Sequence, residues 1–305
     1  MKPLVSVIVP NYNHARYLEK RLFSVFNQTY GHFEVIILDD CSTDNSLQII
    51  NRYKYNPHLQ TIVVNESNSG SPFLQWEKGL RIAKGNLIWI AESDDYCELS
   101  FLEKLVDAFT KDERLAVAFS SIVFFNDDGY ERRYKTGSNL FFDGIRFIRG
   151  WMSNQCAIKN ASGAVFKKEA YEQISKEYLS FRGAGDYQFW VEMSSKGNVG
   201  FIRKNLAYFR MGQSTVTAIN RKTGNAILED IRVCNYILQH YRLSWFERQA
   251  MNARFSLKYR QQSSIPEDIR LKMNELWSFD TRKKRVDLLY LQSIGFLRRY
   301  FGILI

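Results

Sequence analysis

Proline is scarce, with 5 in 305 residues, so Pro-rich linkers are absent. The four cysteines, Cys41, Cys97, Cys156 and Cys234, stand far apart with no C-x-x-C pair. A disulfide framework or a zinc cluster is therefore not expected, and reduced thiols in a cytosolic protein are. The four histidines, His14, His32, His58 and His240, show no metal-ligand spacing. No uncharged apolar run reaches about 18 residues, which excludes an expected transmembrane helix. A single Lys precedes VSVIV at 5–9, too little for a signal peptide, and the run reads as a first strand. Three signatures are missing as well. No G-x-G-x-x-G follows the first strand, and neither G-x-x-x-x-G-K-[ST] nor G-x-S-x-G occurs. Their absence argues against a dinucleotide fold of the usual kind, a P-loop and a serine-hydrolase elbow. There is no internal repeat and no low-complexity segment.

What is present is an ordinary globular composition, 45% hydrophobic and 24% charged, long enough to bury a core without staples. Lysine and arginine total 42 against 32 acids, a net charge of +10 that favours anionic partners: nucleic acid, phosphorylated ligands or an anionic membrane.

The first half alternates strands with helices. VSVIV is a β-branched run of the kind buried on both faces, and Pro10 is expected to end it. Leu18, Leu22, Val25 and Phe26 mark a helix by spacing. Strands follow at 34–38, 61–65, 86–91 and 116–125, separated by helices around Leu47–Tyr53, Phe73–Lys84 and Leu99–Phe109. Gly85 is the expected stop of the helix before it. Such β-α-β units give a mostly parallel sheet with helices on both faces, which binds ligands at the carboxyl ends of its strands. From about 143 the pattern becomes α+β. A strand is expected at 160–166, a helix at 187–195, and two short strands at 198–202 and 206–210. After about 218 the chain reads as helical and basic. The expected division is a catalytic domain over 1–217 and a helical basic region over 218–305.

Polar groups sit just after the expected strands, and many are carboxylates. Asp39 and Asp40 end the second strand and Asp44 follows closely. A carboxylate there can accept from a base N–H or from ribose hydroxyls. Helix capping explains Asp44 by itself, but not two adjacent acids on a buried strand end. Glu92, Asp94 and Asp95 cluster after the fourth strand. Acids this close repel unless a cation sits among them, and hard oxygen ligands beside a phosphate suit Mg²⁺ or Mn²⁺. One N-cap would need one acid, not three. Asp186 opens a helix in RGAGDYQFW, where capping and catalysis are equally good readings of the spacing.

Together VSVIVPNYN, LDDCSTDNS and KGLRIAKGNLIWIAESDDY, followed by NASGAVF, GDYQFW and YFRMGQSTVT, resemble the family 2 glycosyltransferases of the GT-A fold. The resemblance implies an α/β, Rossmann-like catalytic domain and a nucleotide-sugar donor, with UDP as the expected nucleotide. Pro10, Tyr12 and Asp39 would hold the base, with Asp40 and Asp44 beside them. Glu92-Ser93-Asp94 stands at the D-x-D position: Glu92 would approach the ribose or sugar and Asp94 would bind the metal on the diphosphate. Asp95 would line the donor sugar or acceptor site, and Asp186 would be the catalytic base. The pattern departs at Glu92, where Asp is commoner, and at Gly185-Asp186, which replaces an E-D pair. Arg210-Met211-Gly212 replaces an R-x-H whose His would ligate the metal, and Gln213 follows it without supplying that ligand. Trp76-Glu77 stands where Arg-Asn is usual.

The expected reaction is transfer of a sugar to a hydroxyl acceptor with inversion, in bacterial cell-surface polysaccharide or lipid-linked glycan synthesis. The rivals are a carboxylate-pair glycoside hydrolase and a basic nucleic-acid-binding protein. Expected partners are the nucleotide-sugar donor and a glycan or lipid-linked acceptor, without nucleic acid; a homodimer stays open. Val286, Tyr290, Ile294, Leu297, Phe301 and Leu304 form a stripe at helical spacing, behind the basic run Arg282–Arg285. A basic amphipathic helix of this kind either packs on protein or lies at an anionic membrane surface. The expected location is cytoplasmic, with peripheral contact on the inner face of the membrane.

Overall fold

The computed structural model describes residues 2–212, 224–261 and 265–277, together with Asp287, Leu289 and Gln292. Contacts divide the chain into two compact units that interleave along the sequence.

The first unit comprises Met1–Phe142, Ile158–Ser175 and Lys196–Met211. Its sheet begins with β1 (Val5–Asn11), β2 (Phe33–Asp39), β3 (Leu59–Val64) and β4 (Leu87–Ile90), in the order β3-β2-β1-β4 and all parallel. The connecting helices are α1 (Ala15–Phe26), α2 (Ser46–Asn51) and α3 (Pro72–Ile82). Every residue of β1 is buried, as suits a mostly β-branched run in a parallel sheet; Ser6, which interrupts the run, donates to Glu34 and accepts from Gly85 N–H.

Pro10 does not end β1; the strand continues through it to Asn11. Ile8 sends its carbonyl to Ala91 N–H at 2.8 Å, so by two-residue alternation Pro10 faces the same side. Pairing with β4 stops at Ile8, and the missing proline N–H therefore leaves no acceptor without a donor in that ladder.

Beyond β4 the sheet continues through β5 (Tyr96–Cys97), α4 (Phe101–Lys111), β6 (Leu115–Phe125), β7 (Glu131–Arg132), β8 (Leu140–Phe142), β9 (Ala164–Lys167) and β10 (Asn198–Arg210). The spatial order is β4-β9-β6-β10-β5. β9 lies antiparallel between β4 and β6, whereas β6 and β10 run parallel. The strand expected over 160–166 is confined to β9, because residues 161–163 form a 3₁₀ turn capped by the Asn160 side chain. The two short strands expected near 200 are one strand. β10 stays paired with β6 across register shifts around Asn205, which leave the polar Arg203 and Lys204 without opposite partners. The core lies between this sheet and helices α1 and α4, with Val7, Leu18, Leu22, Trp89, Phe101 and Leu105 all fully buried.

Gly79 lets α3 approach β1, since a Cβ there would stand 2.4 Å from Ile8 Cγ2. α3 ends at Ile82 rather than at Gly85; Gly85 instead gives its N–H to Ser6 Oγ at 2.7 Å.

The second unit comprises Asp143–Ala157, Lys176–Ser195 and the chain from Gly212 on. Its described residues contain no strand, in line with the helical reading of the C-terminal region. Its main helices are α5 (Gly185–Ser194), α6 (Asn225–His240), α7 (Trp245–Gln261) and α8 (Glu267–Leu276). α6 packs against the other three. Asp230 of α6 pairs with Arg254 at 2.8 Å and Lys258 at 2.6 Å, both on α7. The stripe from Val286 to Leu304 and Gln213 lie outside the described residues.

Candidate functional site

The carboxyl ends of β1, β2 and β4 carry the acids that the sequence singles out. At the end of β1, Pro10 and Asn11 are buried and Tyr12 is 44% exposed. Asn11 Nδ2 donates to Asp39 Oδ2 at 2.8 Å, and Ser42 N–H donates to Asp39 Oδ1 at 2.8 Å. Asp39 is thus fully buried and holds the two loops together. Asn13 and Cys41 both sit at positive φ, 54° and 64°, in these loops. Two non-glycine residues in that region are backbone strain of the kind found where a fold shapes a ligand edge.

Asp44 Oδ2 accepts from Ala15 N–H at 2.8 Å and Oδ1 from Ser46 N–H at 3.0 Å. It therefore caps α1 from across the site as well as the start of α2. Partial burial raises its pKa, and these hydrogen bonds outweigh that and bring it below the usual value. Asp40 is a buried hub. It accepts from Asn65 Nδ2 at 2.6 Å, Gln75 Nε2 at 2.9 Å, Ser69 Oγ at 2.7 Å and Asn68 Nδ2 at 3.1 Å, and so tethers the loop before α3.

After β4 come Glu92, Asp94 and Asp95. Burial, with Asp94 beside it, pushes Glu92 up to about 8, against the hydrogen bond from Trp76 Nε1 at 2.7 Å. Burial and Asp94 likewise push Asp95 up to about 7. Asp95 accepts from Arg210 N–H at 2.9 Å and from Asn160 Nδ2 at 2.6 Å. Asp94 is raised by burial, opposed by its own backbone N–H and by the charges of Arg21 and Arg210.

Two arginines supply the positive charge of this cluster. Arg21 is fully buried; its Nε donates to Glu92 O at 2.7 Å, and its guanidinium stands 3.9 Å from Asp95 and 5.7 Å from the Trp89 ring. Arg210 donates to Asp94 O at 3.0 Å, pairs with Asp127, and lies 3.9 Å over the Tyr17 ring. His14 Nδ1 is 2.7 Å from Ser93 Oγ, which joins the β1 end to the acid run.

Among the described residues no three His, Cys, Asp or Glu side chains are arranged to hold a metal unaided. Glu92 and Asp95 accept from residues elsewhere in the fold, whereas the donor to the Asp94 carboxylate is its own backbone N–H, which makes it the most available of the three. Mg²⁺ and Mn²⁺ are commonly held by one or two carboxylates, with the remaining positions filled by substrate phosphates and water.

The structure therefore brings Pro10, Tyr12, Asp39, Asp40, Asp44, Glu92, Asp94 and Asp95 to one sheet edge. Asp186 belongs to the second unit. It is the second residue of α5, half-buried, with Oδ1 accepting from Tyr187 N–H at 2.8 Å. A separate cleft at the opposite strand ends is lined by Lys84, Lys167 and Lys168. Lys167 and Lys168 direct Nζ to backbone carbonyls of Glu113 and Ala83, so it is a weaker candidate.

Sequence reasoning missed Arg21 and Asn160. Arg21 left a signal: it shares a helical stripe with Leu18, Leu22 and Val25, where a charge is out of place unless paired. Asn160 left none.

Residues 6–175 match the sequence model of the family described as glycosyl transferase family 2. The putative teichuronic acid biosynthesis glycosyltransferase TuaG of Bacillus subtilis is 37% identical over 222 residues, covering 71% of this chain and 82% of the relative. Among solved structures, S. aureus TarS 1-349 in complex with UDP-GlcNAc superposes with a TM-score of 0.64 at 20% identity, covering 95% of this chain and 80% of that one. The mannosyltransferase PcManGT of Pyrobaculum calidifontis, solved with GDP-Man and Mn²⁺, gives 0.61 at 16% identity over 99% and 89%. At such identities the two structures speak for the fold.

Proposed function

The chain belongs to glycosyl transferase family 2, with a GT-A fold, and on that premise we propose that it transfers a sugar from a nucleoside diphosphate donor to a hydroxyl acceptor with inversion. The observation that carries this reading is the acid run after β4, where Asp94 is the carboxylate least engaged by the rest of the fold. Tyr12 offers an exposed ring face to the base. Asp39, fully buried between the two loops it joins, has acceptor positions beyond its two protein donors, which a base N–H would reach on a shift of those loops. TarS was solved with UDP-GlcNAc and PcManGT with GDP-Man; of the two nucleotides we take UDP as the donor's here. The acceptor is a growing cell-surface polysaccharide or lipid-linked glycan, in keeping with the teichuronic acid role named for TuaG.

In the proposed reaction Asp186 takes the acceptor hydroxyl proton as that oxygen bonds to the anomeric carbon. The bond from that carbon to the diphosphate breaks, and the diphosphate leaves with the electron pair. Asp94 would hold a divalent ion, and such an ion would supply charge neutralisation at the leaving diphosphate. Arg21, donating to Glu92 O, and Arg210, donating to Asp94 O and Asp95 Oδ1, hold this acid run in place.

Thermal unfolding with a panel of sugar nucleotides, with and without Mn²⁺, tests the reading. The true donor should stabilise the protein by about 2.7 kcal/mol at a hundredfold excess over Kd. Asp94→Asn should lose the metal-dependent part of that shift. Asp39→Ala should weaken donor binding by roughly 1.5–3 kcal/mol, the worth of a hydrogen bond to a charged group. Asp186→Asn should keep the shift and lose turnover. A panel in which no donor gains from Mn²⁺, or an Asp186→Asn enzyme working at the parent rate, would refute the corresponding role.

A further inference from the structure

The strongest feature outside the acid run is a buried carboxylate in the second unit. Glu229, on α6, is 8% exposed and accepts three consecutive backbone N–H groups. Arg182 donates to Oε1 at 2.8 Å, and Gly183 and Ala184 donate to Oε2 at 2.8 and 2.7 Å. These residues lead directly into α5, whose second residue is Asp186.

Burying a carboxylate is costly unless its lone pairs are filled. Here a nest of successive amides fills them, an arrangement that fixes the path of the backbone as firmly as it fixes the anion. Stabilising the helix start alone needs only a Ser or Asp at the cap. Ala184 occupies that position and offers no side-chain cap. The clamp therefore comes from another helix. One turn along the same face of α6, Arg232 donates to Ser180 Oγ at 3.1 Å and lies 4.1 Å over the Phe181 ring. On the far side of Asp186, the buried Tyr187 hydroxyl donates to Met152 O. The backbone is held on both sides of Asp186, while its own carboxylate is only half-buried.

We propose that Glu229 is a positioning residue for Asp186, aligning its carboxylate for removal of the acceptor proton. This rests on the role of Asp186 proposed above. A misplacement of about 1 Å in a reacting group can cost a hundredfold in rate, which sets the expected effect.

The test uses the full chain and the sugar nucleotide giving the largest thermal shift. Turnover is read as nucleoside diphosphate released with water as acceptor. Glu229→Gln keeps the shape but turns an NH₂ toward the amide donors. It should lower kcat about a hundredfold while leaving donor KM and calorimetric Kd unchanged. Glu229→Asp keeps the charge on a shorter arm and should recover part of the rate. In an Asp186→Asn background, Glu229→Gln should cost nothing further. By hydrogen exchange, the amides of 182–184 should be protected in the parent and exchange faster in Glu229→Gln.

Parent-rate turnover by Glu229→Gln, with Asp186→Asn inactive, would overturn the clamp and leave the base in place. An active Asp186→Asn would instead overturn the base reading. Donor affinity falling in step with kcat, or losses that add to those of Asp186→Asn, would reduce Glu229 to a stabilising residue. Rapid exchange of 182–184 in the parent would overturn the clamp even if neither variant folds.

Discussion

His14 joins the two halves of the candidate site, and its titration has a definite sign. Burial lowers its pKa below 6.5, against the pull of Asp95 and Asp44. Between the folded value and 6.5 the unfolded chain binds more protons, so this residue makes stability rise with pH through that window. Glu92 and Asp95 act oppositely. Raised to about 8 and 7, they bind protons in the folded state that the unfolded chain has already released, and stability falls as pH climbs towards those values. Subtracting the His14→Gln melting curve from that of the parent isolates the histidine. The parent should gain stability relative to His14→Gln as pH rises towards 6.5, and parallel curves would refute the assignment. The acids at the strand ends were legible because hydrophobic runs place them at the ligand edge of any α/β sheet. Their partners were less so. Arg21 betrays itself only by interrupting an apolar stripe, and Asn160 reaches Asp95 across 65 positions that no local pattern spans.

Helix α3 and strand β1 meet at Gly79, where competing effects can be ranked. Alanine is favoured over glycine in a helix by about 1 kcal/mol. A Cβ at Gly79, however, would meet Ile8 Cγ2 at 2.4 Å inside a fully buried strand. Overpacking of this kind costs about 1–3 kcal/mol, so Gly79→Ala should lower stability in chemical denaturation, and a gain would mean that Ile8 can yield. Most elements were legible because β-branched runs and helical stripes alternate cleanly as far as β6. The misreadings have physical causes. Pro10 fails to end β1 because its missing donor falls beyond the last β4 pair. Arg203 and Lys204 break the apolar pattern of β10 without breaking its pairing. A four-residue strand such as β9 carries no mark of its direction, and so its antiparallel insertion could not be read.

The whole chain carries +10, and much of its basic character falls late in the sequence. Among the described residues no helix is long and apolar enough to cross a membrane. The stripe from Val286 to Leu304 lies outside the described residues and has two readings, packing on protein or contact with an anionic surface, the second worth about 1 kcal/mol per basic residue near the surface; on that second reading a difference in vesicle binding follows. The full chain should co-sediment with anionic vesicles at low salt, and a chain truncated before Val286 should not; equal partitioning would leave protein packing as the stripe's role. The sheet also has a history as the chain is made. β6 is complete at Phe125, but β9, which must slide between β4 and β6, starts only at Ala164. At a ribosomal pace of about 5–20 residues per second, the nascent chain spends about 2–8 s with two apolar strand edges waiting for the insert. Translation speed across 126–163 therefore bears on how much of this protein reaches its native topology rather than an aggregate.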